Sequence, residues 1–596
     1  MTDRRLLDLA LADLADNPEQ MLAVQSLGHC VVLAGPGSGK TKTLTTAIAR
    51  TLLEDVIEPR GIACITYNNE CALELESKLA LLDVHPSHRV FIGTVHSFAL
   101  SQVIVPYARC VHADVPPEFR IATSAECQAA VQVAYQRVIG EGGDPKSQWS
   151  FAEFKRRSQV DRTRPEWRGR NEELADFVEE YERVLRAQSL IDFDDMPLIA
   201  CRMISENGWI SEALAARFPV LFVDEYQDLG YALHELVLKL CFEANVRLFA
   251  VGDPDQSIYN FAGAHPKLLK DLAIREDVLS VPLRLNYRCG TSIMNASLAA
   301  LGEERSYEPW DSAKTGSVLF KPVQGSLRAQ ADFVMSSLIP ELCDADVHLD
   351  EIGVLYRNAE HGDAVAAAAA AAGIPVVRSD KKALIHRNSP LARWIESCAC
   401  WVADGWKTAN PPFHRLVAGA MSLVYGAGST DAEAKALEHG LIEFLAASRE
   451  QASSVNAWLR AFKDALLAGW MSVPTAATTD WSVLDELIDR TDPESPEGDM
   501  SLAHFAGRTE GSGRLVLSTL HSAKGREFDA VIMFAMNSGV IPNYWETKKP
   551  EQMREGRRVF YVGVTRARKF LVLVFEKGKH SPWVKELHDR VTGKQV

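Results

Sequence analysis

CVVLAGPGSGKTKTLTTAIAR, residues 30–50, decides the fold class. Cys30–Leu33 is a short apolar, β-branched run of the kind that forms a strand buried on both faces. Gly35, Gly37, Ser38 and Gly39 follow as a glycine-rich loop, and Lys40, Thr41 and Lys42 open a stretch without helix breakers. In such a strand–loop–helix the loop N–H groups and the helix N-terminus converge on one point, where they cradle phosphate oxygens. Lys40 is placed to reach the β- and γ-phosphates of a nucleoside triphosphate, and the Thr41 hydroxyl to bind Mg²⁺. Ala34 stands where the usual pattern has its first glycine. A lone glycine loop can be only a tight turn, but one flanked by a strand and GKT is a nucleotide site.

Further strand runs occur on either side of this one. GIACITYNN from Gly61, VLFVDE from Val220 and RLFAVGD from Arg247 are apolar and end in polar turns. At the end of VLFVDE, Asp224 is positioned to hold Mg²⁺ through water, and Glu225 to polarise an attacking water. A second set comprises GSVLFKPV from Gly316, EIGVLYRN from Glu351, GRLVLSTLHS from Gly513, DAVIMFAM from Asp529 and KFLVLVFE from Lys569. Each set is interrupted by a long Ala-, Leu-, Glu- and Arg-rich stretch, 101–195 and 386–510, that reads as helical. AVAAAAAAAG from Ala364 predicts a helix capped by Asp363 and ended by Gly373. TDPESPEGD from Thr491 reads as a loop. The expected class is α/β, two parallel-sheet units with helical insertions.

A chain of 596 residues exceeds a single core. The first twenty residues are punctuated by acids, and no apolar window is long enough for a membrane span, so a cytoplasmic protein without membrane contact is expected. Eleven scattered cysteines without C-x-x-C spacing predict neither a zinc site nor an iron–sulfur cluster. A net charge of −15 excludes coating of nucleic acid by bulk electrostatics, so any such contact needs a local groove. FKRRSQVDRTRPEWRGR, 154–170, is the basic candidate; by itself it reads as a solvated helix face.

The remaining motifs narrow the class of ATPase. VGDPDQSIYNFAGA from Val251, VPLRLNYRC from Val281, LSTLHSAKGREFD from Leu517 and RRVFYVGVTRARK from Arg557 follow in order. Together they resemble the UvrD/Rep group of superfamily 1A DNA helicases, from Gln20 to about Glu576. The resemblance implies two RecA-like lobes: 1A over 1–100 and 196–278, and 2A over 279–385 and 511–596. Helical insertions 1B (101–195) and a reduced 2B (386–510) would complete the chain, with ATP between the lobes. It further implies that Gln20 reads adenine, Tyr287 stacks on the base and Glu527 binds ribose. Gln256 would sense the γ-phosphate, and Arg288 and Arg566 would reach it from the second lobe as arginine fingers do.

On the DNA side the resemblance implies contacts from Thr66, Tyr67, Asn69, Thr94, His96 and the base-stacking Phe261, matched by Thr519, His521 and Ser522 on the second lobe. Stacking accepts any base, which suits a sequence-indifferent motor. Glu70 and Ala262 replace basic residues usual in the family, and Gly556 replaces an acid. Because 154–170 falls in the expected 1B insertion, the reading there shifts toward DNA contact, with Arg156, Arg157 and Arg164 as test positions. YGAGST from Tyr425 is a glycine-containing turn. The implied activity is ATP-dependent 3′→5′ movement on single-stranded DNA up to a duplex junction. The alternative is a DNA-stimulated ATPase subunit that licenses a partner nuclease, as in phage defence, or serves a repair protein.

Overall fold

The computed structural model describes residues 4–67, 69–111, 114–140, 142–169, 171–259, 263–312, 314–380, 382–385, 389–404, 411–425, 430–451, 454–471, 481–495, 500–506 and 513–593. The chain divides into two units, Met1–Cys289 with Glu303–Lys314, and Gly290–Gly302 with Thr315–Val596.

The first unit is built on a six-stranded sheet. Its strands are β1 (His29–Ala34), β2 (Ile62–Thr66), β3 (Val90–Thr94), β4 (Val220–Val223), β5 (Arg247–Gly252) and β6 (Val278–Leu283). They lie in the order β3-β2-β4-β5-β1-β6, and every pairing is parallel. The uninterrupted apolar runs follow from burial of both faces. In β1, Val31 enters the core with Ile65, Val223 and Leu248, whereas Cys30 and Val32 enter the opposite core with Phe222 and Phe249. Because side chains alternate across a strand, both sets must be apolar. Parallel strands end together, so the turns after β1, β2, β3, β4 and β5 collect along one edge, where ligands of such sheets bind. The stretch 279–289, expected in the second lobe, belongs here, because β6 pairs with β1 from His29↔Val278 to Ala34↔Leu283. Between β3 and β4, the helices Ser124–Val138, Pro145–Ser158 and Glu172–Arg186 enclose a small core of their own around Tyr135, Trp167, Phe177 and Tyr181.

The second unit holds another parallel six-stranded sheet. It comprises β7 (Ser317–Val323), β8 (Ile352–Tyr356), β9 (Val376–Arg378), β10 (Leu515–Thr519), β11 (Phe528–Met533) and β12 (Ala567–Glu576), in the order β7-β12-β11-β8-β10-β9. The alanine-rich helix runs Ala359–Ala371 and starts a turn earlier than its sequence suggests: Asn358, not Asp363, accepts from the His361 N–H as N-cap. Asp363 instead pairs with Arg378 and Lys382. Between β9 and β10, helices including Pro390–Asp404, Phe413–Tyr425, Asp431–Gln451 and Ser482–Arg490 share a separate core rich in tryptophan, with Trp394, Trp401, Trp458 and Trp470 buried. Gly426–Ser429 of the YGAGST turn lie outside the described residues. Among the described residues, no helix is long and apolar enough to cross a membrane.

Candidate nucleotide and nucleic-acid sites

The loop after β1 takes its shape from its glycines. Gly37 and Gly39 have φ of +70° and +83°, a region costly for side-chain-bearing residues. A Cβ on Gly37 would lie 2.5 Å from the Arg288 Cβ, and one on Gly39 would lie 2.5 Å from Gln20 Nε2. The Ser38 hydroxyl donates to the Gly35 carbonyl at 2.7 Å, closing the loop. Lys40 and Thr41 begin the helix Lys40–Arg50, so the first-turn N–H groups and the helix dipole point at this cradle. Lys42 is next on the helix, but its ammonium is engaged 3.3 Å from the Asp13 carboxylate.

Three carboxylates gather around Lys40 in the electrostatics of the site. Glu225 Oε1 lies 3.8 Å from its ammonium, and Glu225 itself has φ of +48° at the turn after β4. Asp224 and Asp253, 8% and 1% exposed, have raised pKa values. Burial is the main cause for both; Glu225 adds to the rise at Asp224, while Lys40 opposes both shifts. One ammonium does not balance this charge; among the described residues no three acids stand together as a direct metal-ligand group, so the oxygens here suit a hard divalent cation held through water. Gln227 bridges the two turns by donating to Glu225 and accepting from the Asp253 N–H at 2.8 Å. Gln256 Nε2 donates to Asp253 at 2.7 Å, which puts the proposed sensor beside the acid cluster.

The flank of the cradle that carries Gln20 and Tyr287 is built by the segment after β6. Asn286 Nδ2 donates to the Pro36 carbonyl at 2.9 Å, and the Tyr287 N–H to the Gly37 carbonyl at 2.8 Å. Asn17 Nδ2 donates to the Tyr287 hydroxyl at 2.9 Å, and Gln20 Nε2 donates to Thr43 Oγ1 at 2.9 Å. Gln20, Tyr287, Arg288 and the phosphate loop are thus brought together within the first unit. Arg288 therefore approaches from the segment after β6 of this unit, not from the second lobe. In the second unit, Arg566 is 2% exposed and donates to the Val562 carbonyl at 3.0 Å and to Thr565 Oγ1 at 2.9 Å. Glu527 is exposed just before β11.

Along the same edge of the first sheet lie aromatic pairs. Tyr67, after β2, stacks on Tyr259, with ring centroids 5.0 Å apart. His96, after β3, stacks on Phe193 at 3.8 Å, and Phe193 remains 56% exposed. Thr66 is buried at the end of β2, and Thr94 caps the next helix by accepting from the Ser97 N–H. Asn69 opens the helix Asn69–Ala80; its side chain, Phe261 and Ala262 lie outside the described residues. Burial lowers His96 to about 4. In the second unit, Thr519 ends β10 and its hydroxyl accepts from the Ser522 N–H at 3.1 Å. His521 is also lowered to about 4, by burial first and then by Arg357 and Lys524. Phe193 and Tyr259 were not singled out from sequence; the run IDFDD around Phe193 and the YN after Ile258 were the available signals.

The basic run is not the open cationic face expected from its sequence. Arg156 has no exposure and its guanidinium donates to Glu182, Asp192 and Asp195. Arg157 pairs with Asp194 and Glu153, Arg162 with Glu182, Arg164 with Asp161, and Arg168 with Asp176 and Glu179. Carboxylates from the following helix and the turn after it neutralise the run. Arg156, Arg157, Arg162 and Arg168 therefore join these elements, whereas Arg164 stays largely exposed beside Asp161.

Residues 16–275 match the family described as UvrD/REP helicase N-terminal domain, and 496–578 the UvrD-like helicase C-terminal domain; together they take in more than half of the chain. The chain is similar to the ATP-dependent DNA helicase PcrA of Leuconostoc citreum, 24% identical over 94% of this chain and 81% of that one. DNA helicase II of Haemophilus influenzae is 24% identical over 97% of this chain and 86% of its own. The ATP-dependent DNA helicase Rep of Buchnera aphidicola is 23% identical over 92% of each. With this ordered match across two parallel α/β units, the chain belongs to the UvrD/Rep-type helicases of superfamily 1A.

Proposed function

We propose that this protein is an ATP-dependent DNA helicase that moves 3′→5′ on single-stranded DNA and opens the duplex ahead of it. The observation that carries this reading is the shared sheet edge. The acid-rich phosphate cradle and the stacked aromatics of Tyr67–Tyr259 and His96–Phe193 arise from neighbouring strand ends. The turn from Asp253 to Tyr259 runs from one to the other. The relatives' printed activity and the family membership support ATP and DNA as ligands; polarity rests on the resemblance.

In this reading Lys40 and the loop N–H groups hold the β- and γ-phosphates. Thr41 and Asp224 would hold Mg²⁺, which supplies positive charge against the phosphate oxygens. Glu225 orients a water and accepts its proton as the water oxygen bonds to the γ-phosphorus and the bond to the β-phosphate oxygen breaks. Arg288 and Arg566 neutralise charge on the transferred group. Gln20, Tyr287 and Glu527 hold the base and ribose. Gln256 senses the γ-phosphate. Phe193 and Tyr259 join Tyr67, His96, Thr66, Asn69, Thr94 and Phe261, with Thr519, His521 and Ser522, as the DNA track. The lobe and insertion boundaries 1–100, 101–195, 196–278, 279–385, 386–510 and 511–596 serve as the working division, save that 279–289 goes with the first sheet. A cytoplasmic location suits this role.

The test is strand displacement on 3′-tailed, 5′-tailed and blunt duplexes, with ATP hydrolysis measured in parallel and Lys40→Ala as control. Displacement of the 3′-tailed duplex alone, lost in Lys40→Ala, is the expected result. Strong DNA-stimulated hydrolysis without displacement would overturn helicase action by the isolated chain.

A further inference from the structure

Residues Glu303–Lys314 belong to the first unit although the chain on either side belongs to the second. The segment leaves the helix Thr291–Leu301 at Gly302, whose φ of +73° caps that helix in the left-handed conformation. Arg557, on the helix Pro550–Val564, donates to the carbonyls of Ala300 at 2.9 Å and Ala299 at 3.3 Å. A Cβ on Gly302 would strike this guanidinium, so the root of the segment is held in a fitted seat. The same helix leads directly into Thr565 and Arg566.

Beyond this root the segment lies on the nucleotide site of the first unit. Arg305 grips Asp255 with a two-pronged fork, Nε to Oδ2 at 2.7 Å and Nη2 to Oδ1 at 2.9 Å. Asp255 is 4% exposed and sits in the single turn Pro254–Gln256. Tyr307 packs against Gly35 so closely that a Cβ there would clash with its ring. Glu308–Pro309 pairs in parallel with Leu285–Asn286, and the Trp310 ring lies 5.1 Å from that of Tyr287. One short segment therefore touches the phosphate loop, the flank bearing Tyr287 and the turn bearing Gln256.

A forked arginine–carboxylate pair fixes direction as well as distance, which a single ammonium does not. Asp255 is flanked by Asp253, which accepts from Gln256, and the same turn continues to Tyr259 on the Tyr67 stack. Tension or slack at Gly302 is thus delivered to the turn that spans both ligand sites. We propose that this strap couples ATP turnover to DNA, with Arg305 and Tyr307 as positioning residues that transmit the setting of the Arg557 helix to Gln256 and Gly35. The inference rests on the ATP-driven reading above.

The test is steady-state hydrolysis by the full chain, with and without oligothymidylate, alongside binding of a fluorescent ADP. Arg305→Met keeps the stem and removes the fork. It lowers the DNA-stimulated kcat about tenfold, while DNA-free kcat and ADP affinity change less than about twofold. Arg305→Lys recovers little, since it cannot span both oxygens. Arg557→Ala shows the same signature, and the double variant is no worse than either single one. A stimulated kcat within about twofold of the parent in Arg305→Met overturns the strap. So does an equal loss with and without DNA accompanied by weaker ADP binding, which marks local damage. A parent chain whose hydrolysis ignores DNA overturns the underlying reading, and the strap's role with it.

Discussion

Removing the guanidinium of Arg156 strands a buried carboxylate, and the structure says which one. Its four hydrogen bonds end on Glu182, Asp192 and Asp195. In an Arg156→Met chain, Glu182 keeps Arg162 at 2.7 Å and Asp195 keeps Arg186 at 2.8 Å. Among the described residues, Asp192, 6% exposed, keeps only the Tyr181 hydroxyl at 2.7 Å and the Asp195 N–H at 2.7 Å. Breaking one side of a buried ion pair costs about 3–5 kcal/mol; with two of three acids still paired, the lower end applies, about 3 kcal/mol. For a unit of this size that lowers Tm by roughly 3–6 °C. The assay is calorimetric melting of Arg156→Met, with Arg156→Met/Asp192→Asn as its partner, which recovers part of the loss because the stranded charge is gone. DNA affinity is followed in parallel over a salt series. A side chain that touches no phosphate leaves the slope of log affinity against log salt unchanged, whereas a lost phosphate contact reduces it by about 1. An unchanged Tm with a reduced slope refutes the reasoning and returns Arg156 to the DNA surface.

Three other outcomes are expected. Glu225→Gln retains ATP binding but hydrolyses at least about 100-fold more slowly, as checked by single-turnover phosphate release, because the water loses its base. Phe193→Ala weakens single-strand binding by about 1–3 kcal/mol with no change in salt slope, measured by fluorescence anisotropy, while Phe193→Trp preserves it. His96 and His521 sit at about 4 in the folded chain against 6.5 for the free side chain. The unfolded chain therefore binds their protons first. Stability is intact above about 6.5 and falls as the pH drops toward 4, by on the order of 2–3 kcal/mol for each histidine. His96→Gln flattens this part of the pH–melting profile of the first unit, and an unaltered profile contradicts the burial of that ring.

Strands buried on both faces announce themselves in sequence, and β1, β2, β4 and β5 are such strands. β6 carries exposed Leu279 and contains Pro282, features of an edge position, and β9 has only three residues. Ser280 and Pro282 break the apolar run of β6, and β9 is too short to separate from a loop. The phosphate loop was legible because its glycines act within a few residues of one another. The Arg305–Asp255 fork spans 50 residues, and the Tyr307–Gly35 contact joins parts of the chain still further apart, so neither leaves a local pattern. The basic run misled for the same reason. Its cations are contiguous, but the acids that neutralise Arg156 lie 26–39 residues further on.

The interleaving at Glu303–Lys314 bears on how this protein can be divided. A fragment ending at Cys289 retains all six strands of the first sheet but loses Arg305 from Asp255, Tyr307 from Gly35 and Trp310 from Tyr287. Such a truncation would expose an apolar seat and a buried acid together, and would misfold or bind nucleotide poorly for reasons unrelated to its own sequence. An autonomous first unit has to carry 303–314 as well, with a short artificial linker replacing Gly290–Gly302. Conversely, the second unit made alone should have this strap excised and Gly302 joined to Thr315. The boundary for modular expression is therefore a double crossing of the chain, not a single cut.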